Sequence, residues 1–270
     1  MSDVFMPAFL SSEELGELQF AVRCLDGDSF ASRLTGALGR RVEALGRALP
    51  SSARRRIARA AERALQAALR LALRTIDEKK PANAAKGAHK AAAAASGVLG
   101  GAFGLASAVV ELPISTAILL RSIAEIAREE GEDLSRPEAA LACIEVFALG
   151  GEAAGEAAIE GGYFAVRGAL AKSVSESARF IAQRGLVDET APILVRLIAQ
   201  VAARFGVVVS EKLAAQAVPI LGAIGGAAVN VAFAEHFQTL ARGHFIVRRL
   251  ERAYGAEAVQ FERQRLRGQI

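Results

Sequence analysis

The chain has 270 residues, 52% of them apolar and 23% charged, with seven Pro, two Cys, no Trp and a net charge of +4. That composition supports a sizeable core in one large domain or two small ones and excludes a disulfide framework. The small net charge conceals opposed blocks, +8 over residues 53–90 and −7 over residues 121–160, so the pI near 9.4 is a local effect and only weak evidence for nucleic acid as a partner.

Few Pro, two Tyr and Ala-rich runs punctuated by caps predict an all-α fold. The expectation is one multi-helix domain in which two Gly/Ala-rich apolar segments pack together. Residues 1–50 would form peripheral helices, 51–256 the helical domain, and 257–270 a polar C-terminal tail.

The opening MSDVFMPAFLSSEEL lacks the basic n-region of a secretory signal, so a cytoplasmic location is expected. Ser11-Ser12-Glu13-Glu14 has capping-box spacing and predicts a helix to about Leu25. Asp26-Gly27-Asp28 breaks it, and a second helix is expected to run to Leu49. Cys24 and Cys143 have no metal-ligand spacing, which suits a reducing compartment.

Pro50-Ser51-Ser52 opens the clearest amphipathic helix. At about 100° per residue, Ile57, Ala61, Leu65, Ala68, Leu69, Ala72 and Ile76 share one face, while Arg56, Arg59, Arg63, Arg70 and Arg74 fall in an opposite arc of roughly 60°. Such a stripe is either a solvated face, paired in part with acids elsewhere in the fold, or a contact for anionic lipid head groups or a nucleic-acid backbone. No aromatic residues interleave with the arginines to stack on bases.

Lys79-Lys80-Pro81 ends this helix, and Lys86 and Lys90 precede an uncharged run of twenty residues, Ala91 to Val110. Gly97/Gly101 and Gly100/Gly104 repeat at i,i+4, the spacing that lets another helix backbone approach closely. Glu111-Leu112-Pro113 predicts either a helical hairpin or one kinked helix. Glu111, Arg121 and Glu125 lie within or beside this apolar stretch, so burial and mutual pairing are expected of them.

Gly131-Glu132-Asp133 closes that helix, and Ser135-Arg136-Pro137-Glu138 has the spacing of another capping box. Beyond it Glu145, Glu152, Glu156 and Glu160 line up within about 80°, an acidic stripe read as a solvated face or as a counterpart to the arginines. A two-metal carboxylate site would need Glu-x-x-His partners, which neither His236 nor His244 supplies, so no metal or cofactor is expected.

Further helices are expected over about Tyr163 to Arg184 and Thr190 to Gly206. A second uncharged run of twenty-two residues spans Leu213 to Ala234. Gly222/Gly226 repeats the close-packing spacing, and Asn230 is its buried polar residue. The last helix is expected over about Glu235 to Tyr254, stopped by Gly255. No nucleophile elbow, P-loop or dinucleotide fingerprint appears.

Three blocks in order, Glu111-Leu112-Pro113-Ile114-Ser115-Thr116 continuing through Arg121 to Gly131-Glu132-Asp133, then PILGAIGGAAVN over 219–230, then Leu250-Glu251-Arg252-Ala253-Tyr254-Gly255, resemble the EcsC protein family. The resemblance covers roughly Ala44 to Gly255. It implies a bacterial, mostly helical protein whose family takes its name from a gene beside an ABC exporter, and it brings no catalytic residues.

The leading expectation is a non-enzymatic accessory protein, peripheral or shallowly inserted at the cytoplasmic face of the membrane and linked to ABC-type transport. Its partners would be anionic lipid and a transporter subunit. The alternatives are a soluble helical module holding a lipid or other apolar ligand, and an unrecognised hydrolase.

Overall fold

A computed structural model describes residues 10–27, 30, 50–75, 105–150, 162–184, 191–216 and 222–267, without the side chains of 73–75, 105–111 and 222–226. The described residues form eight helices and no strand: α1 (Ser12–Leu25), α2 (Ser51–Thr75), α3 (Leu105–Glu129), α4 (Pro137–Leu149), α5 (Gly162–Arg184), α6 (Pro192–Gln216), α7 (Gly222–Tyr254) and α8 (Ala256–Arg267). The expected helix to Leu49, the lysines at 79–90, Gly97, Gly100, Gly101, Gly104, Glu152, Glu156 and Glu160 lie outside the described residues.

Local chemistry sets several boundaries. At α1 the Ser11 hydroxyl accepts from the Glu14 amide at 3.2 Å while the Glu14 carboxylate accepts from the Ser11 amide at 2.8 Å, a closed capping box. α3 ends in a Schellman turn: Gly131 adopts φ +76°, its amide donates to Arg128, and the Glu132 amide donates to Ala127. Gly255, at φ +86°, stops α7 in the same left-handed region.

Other boundaries differ from the sequence expectation. Ser135 does not cap α4; its hydroxyl and amide both bond the Asp133 carboxylate, and Arg136 stands at the N-cap with Pro137 in the first turn. Proline at the first helical position moves the cap one residue past serine. Of the two alternatives expected at Pro113, the structure shows the second: α3 is a single helix from Leu105 to Glu129 that carries Pro113 internally. The uncharged run Leu213 to Ala234 lengthens both neighbours: α6 continues past the expected Gly206 to Gln216, and α7 begins at Gly222 instead of about Glu235. Residues 256–267 are a helix, α8, rather than a polar tail, because Val259 and Leu266 find an apolar surface to cover.

The architecture is a ring around α4. All ten residues from Ala139 to Ala148 are buried, and α2, α3, α5, α6 and α7 each pack against this helix. Its sequence, PEAALACIEVFAL, is apolar on every side apart from Glu138 and Glu145, the pattern of a helix enclosed by others. Below it an aromatic cluster ties α4, α6 and α7 together. Phe147 meets Phe205 at 5.0 Å between ring centres, Phe205 meets Phe237 at 5.6 Å, and Phe237 meets Phe233 at 5.1 Å.

A second, smaller core lies between α1, α5, α7 and α8, built from Leu10, Leu18, Ala21, Tyr163, Ile246, Val247, Leu250, Val259 and Leu266. α1 and α7 approach so closely that a Cβ added at Gly243 would meet Leu25 Cγ at 2.8 Å, Cys24 Cβ at 2.9 Å and the Ala21 carbonyl at 3.0 Å. Glycine-mediated packing is therefore present at Gly243, a position the small-residue repeats did not single out.

Candidate functional site

Two places concentrate chemistry: the outer face of α2 and a buried polar cluster at the C-terminal half of α7.

On α2 the periodicity of the sequence is realised in space. Ile57, Ala61, Leu65, Ala68, Leu69 and Ala72 are buried in the core, and Arg56, Arg59, Arg63 and Arg70 are exposed. Arg55, also exposed, borders this stripe, while Arg54 is exposed on another side of the first turn; the Arg74 side chain is outside the described residues. Glu62 is the sole acid on α2 and is half-buried. The side of α2 facing α6 is close-packed, with the Ala58 Cα 3.8 Å from where a Gly206 Cβ would stand. The apolar face is thus engaged by protein, and the helix offers outward charge only.

The buried cluster was not singled out from sequence. Arg167 of α5 forms a two-pronged ion pair with Glu251 of α7 at 2.7 and 2.9 Å, and donates to the Tyr163 hydroxyl at 3.2 Å. That hydroxyl lies 2.9 Å from His244 Nδ1. Arg167 can only donate, so the Tyr163 hydroxyl accepts from it and shares one further hydrogen bond with the imidazole. Nε2 is buried and has no hydrogen-bond partner among the described residues. Burial, with Arg167 and Arg248 nearby, holds His244 well below its usual range, so it is neutral.

Glu145 of α4 belongs to the same electrostatic neighbourhood. It is 5% exposed, and burial pushes its carboxyl up to about 7, against the opposing pull of Arg167 and Arg248. This corrects the reading of Glu145 as part of a solvated stripe: the whole stretch of α4 from Ala139 to Ala148 is buried. Next to it the Schellman turn of α3 presents Glu132 to Arg248 at 2.8 Å and to Arg252. Burial works against the Glu132 carboxylate, but the two guanidiniums outweigh it and hold it below the usual range.

The helices outside the ring close the cluster. Arg263 of α8, 1% exposed, lies over the rings of Tyr163 and Phe164 at 5.1 and 5.0 Å and bonds Asp26 at 2.7 Å. Arg249 pairs with Glu17 at 2.8 Å and Glu130 at 2.9 Å, and the Tyr254 hydroxyl donates to Glu14 at 2.7 Å. The ends of the described chain are thereby fastened over the cluster.

The residues expected to be buried and polar separate. Asn230 is 3% exposed and accepts from Gln216 Nε2 at 3.3 Å, linking α7 to the end of α6. Glu125 is half-buried. Arg121 is exposed, which corrects its expected burial. The helix turns Leu119, Leu120 and Ile123 inward, so Arg121 rides on the opposite face with Ile114. The Glu111 side chain and the surroundings of Gly222 and Gly226 are outside the described residues.

Among the described residues no group of three or more His, Cys, Asp and Glu is placed to hold a metal. One helix there, α6, is long and apolar enough by length and composition to cross a membrane. Leu194, Leu197, Ile198, Val201, Phe205, Val208 and Val209 of α6 are buried in the core, while Val195 and Val207 are exposed.

The EcsC protein family matches residues 30–250, which leaves α1 and α8 on either side of the match. Among curated proteins and among solved structures nothing matches the chain.

Proposed function

The chain belongs to the EcsC protein family, and from that premise we propose that it is a non-enzymatic accessory protein that docks on an anionic membrane from the cytoplasmic side in support of ABC-type transport. One observation carries the docking: Arg55, Arg56, Arg59, Arg63 and Arg70 are all exposed on a helix whose opposite face is locked in the core. A rigid array of guanidiniums suits phosphate recognition, because each planar fork holds its charge at any physiological pH and can bond two oxygens at once.

The structure of α2 also limits the mode of attachment. Its apolar residues are committed to the core, so α2 does not lie in the bilayer as a free amphipathic helix would. It acts through charge. Each arginine near an anionic surface contributes about 1 kcal/mol, and the attraction decays over a screening length of roughly 10 Å at 0.1 M salt.

Sedimentation with vesicles tests the reading. The protein is expected to pellet with equimolar phosphatidylglycerol/phosphatidylcholine vesicles at low salt and to be released as salt rises. Equal recovery with pure phosphatidylcholine, or indifference to salt, contradicts it.

A further inference from the structure

We propose that the outer face of α1 is a self-association surface: the α1 of a second copy of this chain packs against it antiparallel about a two-fold axis, with Phe20 of each copy over Gly16 of the other.

Four residues make the face. Glu13, Gly16, Phe20 and Arg23 are all exposed, and at about 100° per residue they fall within one arc of roughly 80°. Their spacing of three, four and three residues is that of the positions through which two helices interlock. The rest of α1 is engaged within the chain. Leu18, Ala21, Val22 and Cys24 are buried, and α7 and α8 pack against the helix. Glu14 bonds Ser11 and the Tyr254 hydroxyl, Glu17 pairs with Arg249, and Asp26 pairs with Arg263. Glu13 and Arg23 enter none of these contacts. Ser12 and Gln19 border the arc on one side and the paired Glu17 on the other, so Glu13 and Arg23 are the charges it presents.

Two of the four residues lack a reason within the chain. Phe20 is 43% exposed. Gly16 lies in the body of the helix, where Gly is less favourable than Ala, yet its φ is not positive and an added Cβ would meet nothing within 4 Å. A second copy supplies the reason for both, because a flat spot beside an exposed ring accepts the same ring from a neighbour.

The face is complementary to itself. An axis beside position 18 sets Glu13, five residues before it, against Arg23, five residues after it, and Gly16, two before, against Phe20, two after. Each end of the seam then closes on an ion pair, with ring over glycine between. A parallel arrangement would oppose like charges, so charge selects the antiparallel one. From Glu13 to Arg23 the seam is about 15 Å long at 1.5 Å per residue, short beside the interfaces of obligate dimers, so the association is reversible.

Glu13 in the first turn and Arg23 in the last also suit the helix dipole, so the test reads association rather than stability. In sedimentation velocity of the full chain without lipid, the unsubstituted protein is expected to pass from monomer towards dimer as concentration rises. Phe20→Ser is expected to weaken the dimer by about tenfold. Glu13→Arg makes the face wholly cationic and Arg23→Glu wholly acidic, so each alone is expected to weaken it by about tenfold as well. An equimolar mixture of these two variants restores both ion pairs and is expected to regain the association of the unsubstituted protein. A monomer at every concentration, or a mixture that associates no better than either variant alone, overturns the proposal. A dimer that survives Phe20→Ser unchanged overturns it too, since another face then holds the copies together.

Discussion

Because burial pushes the Glu145 carboxyl up to about 7, the folded chain binds a proton there that the unfolded chain, with its ordinary carboxyl near 4.5, has released. Stability from this group therefore falls as pH rises from about 4.5 to 7, by an amount on the order of 3 kcal/mol. His244, held below its range, acts with the opposite sign and favours the fold as pH rises towards 6.5, so the informative quantity is a difference. Glu145→Gln should gain stability relative to the parent as pH climbs through that window in denaturant titrations. A constant difference between the two proteins would mean that Glu145 titrates normally. The ion pair at its side behaves differently: Arg167→Met alone should cost about 3–5 kcal/mol by orphaning Glu251, and Glu251→Gln added to it should recover part of that loss. If the double change is as damaging as the sum of the singles, the pair is not coupled. Little of this was legible in sequence. The Tyr163/Arg167 spacing and the His244, Arg248, Glu251 face are visible there, but their burial depends on α1 and α8 arriving from the far ends of the chain. Arg121 was misjudged for a related reason, since an uncharged run before a residue does not reveal which side of the helix will pack.

At the scale of elements, local signals served well where they are self-contained. The capping box of α1, the glycine stop of α7 and the two-faced pattern of α2 each reside in a few neighbouring residues, and each is found in place. Signals that need a partner misled. The last helix was expected from about Glu235, yet it begins at Gly222, inside the uncharged run. Close helix approach occurs at Gly243, which has no glycine four residues away and so carries no repeat to betray it. A methyl group there must displace Cys24 Cβ and the Ala21 carbonyl, one of them backbone. Gly243→Ala is expected to destabilise the protein by about 1–3 kcal/mol and to speed amide exchange across Ser12–Leu25 more than across α4. Unchanged melting and unchanged exchange would show that α1 yields without cost.

At the scale of the whole molecule, the described chain is a ring of helices around a buried one, with its charge sorted by depth. Pairs that include Arg167, Arg248 and Arg263 are spent internally on Glu251, Glu132 and Asp26, whereas the arginines of α2 face outward with one half-buried glutamate among them. The charge blocks of the sequence anticipated an asymmetric surface but not this division, because the acids of residues 121–160 include Glu132 and Glu145, which turn inward. If the outward arginines attach the protein to anionic membranes, replacing Arg55, Arg59 and Arg63 together by Glu should detach it. All three are exposed, so the melting temperature should barely move. Binding to phosphatidylglycerol-containing vesicles at low salt should fall by at least a hundredfold, given roughly 1 kcal/mol for each charge near the surface and two charges changed at each site. Retention of full vesicle affinity by a folded triple variant would show that α2 does not attach the protein to the membrane.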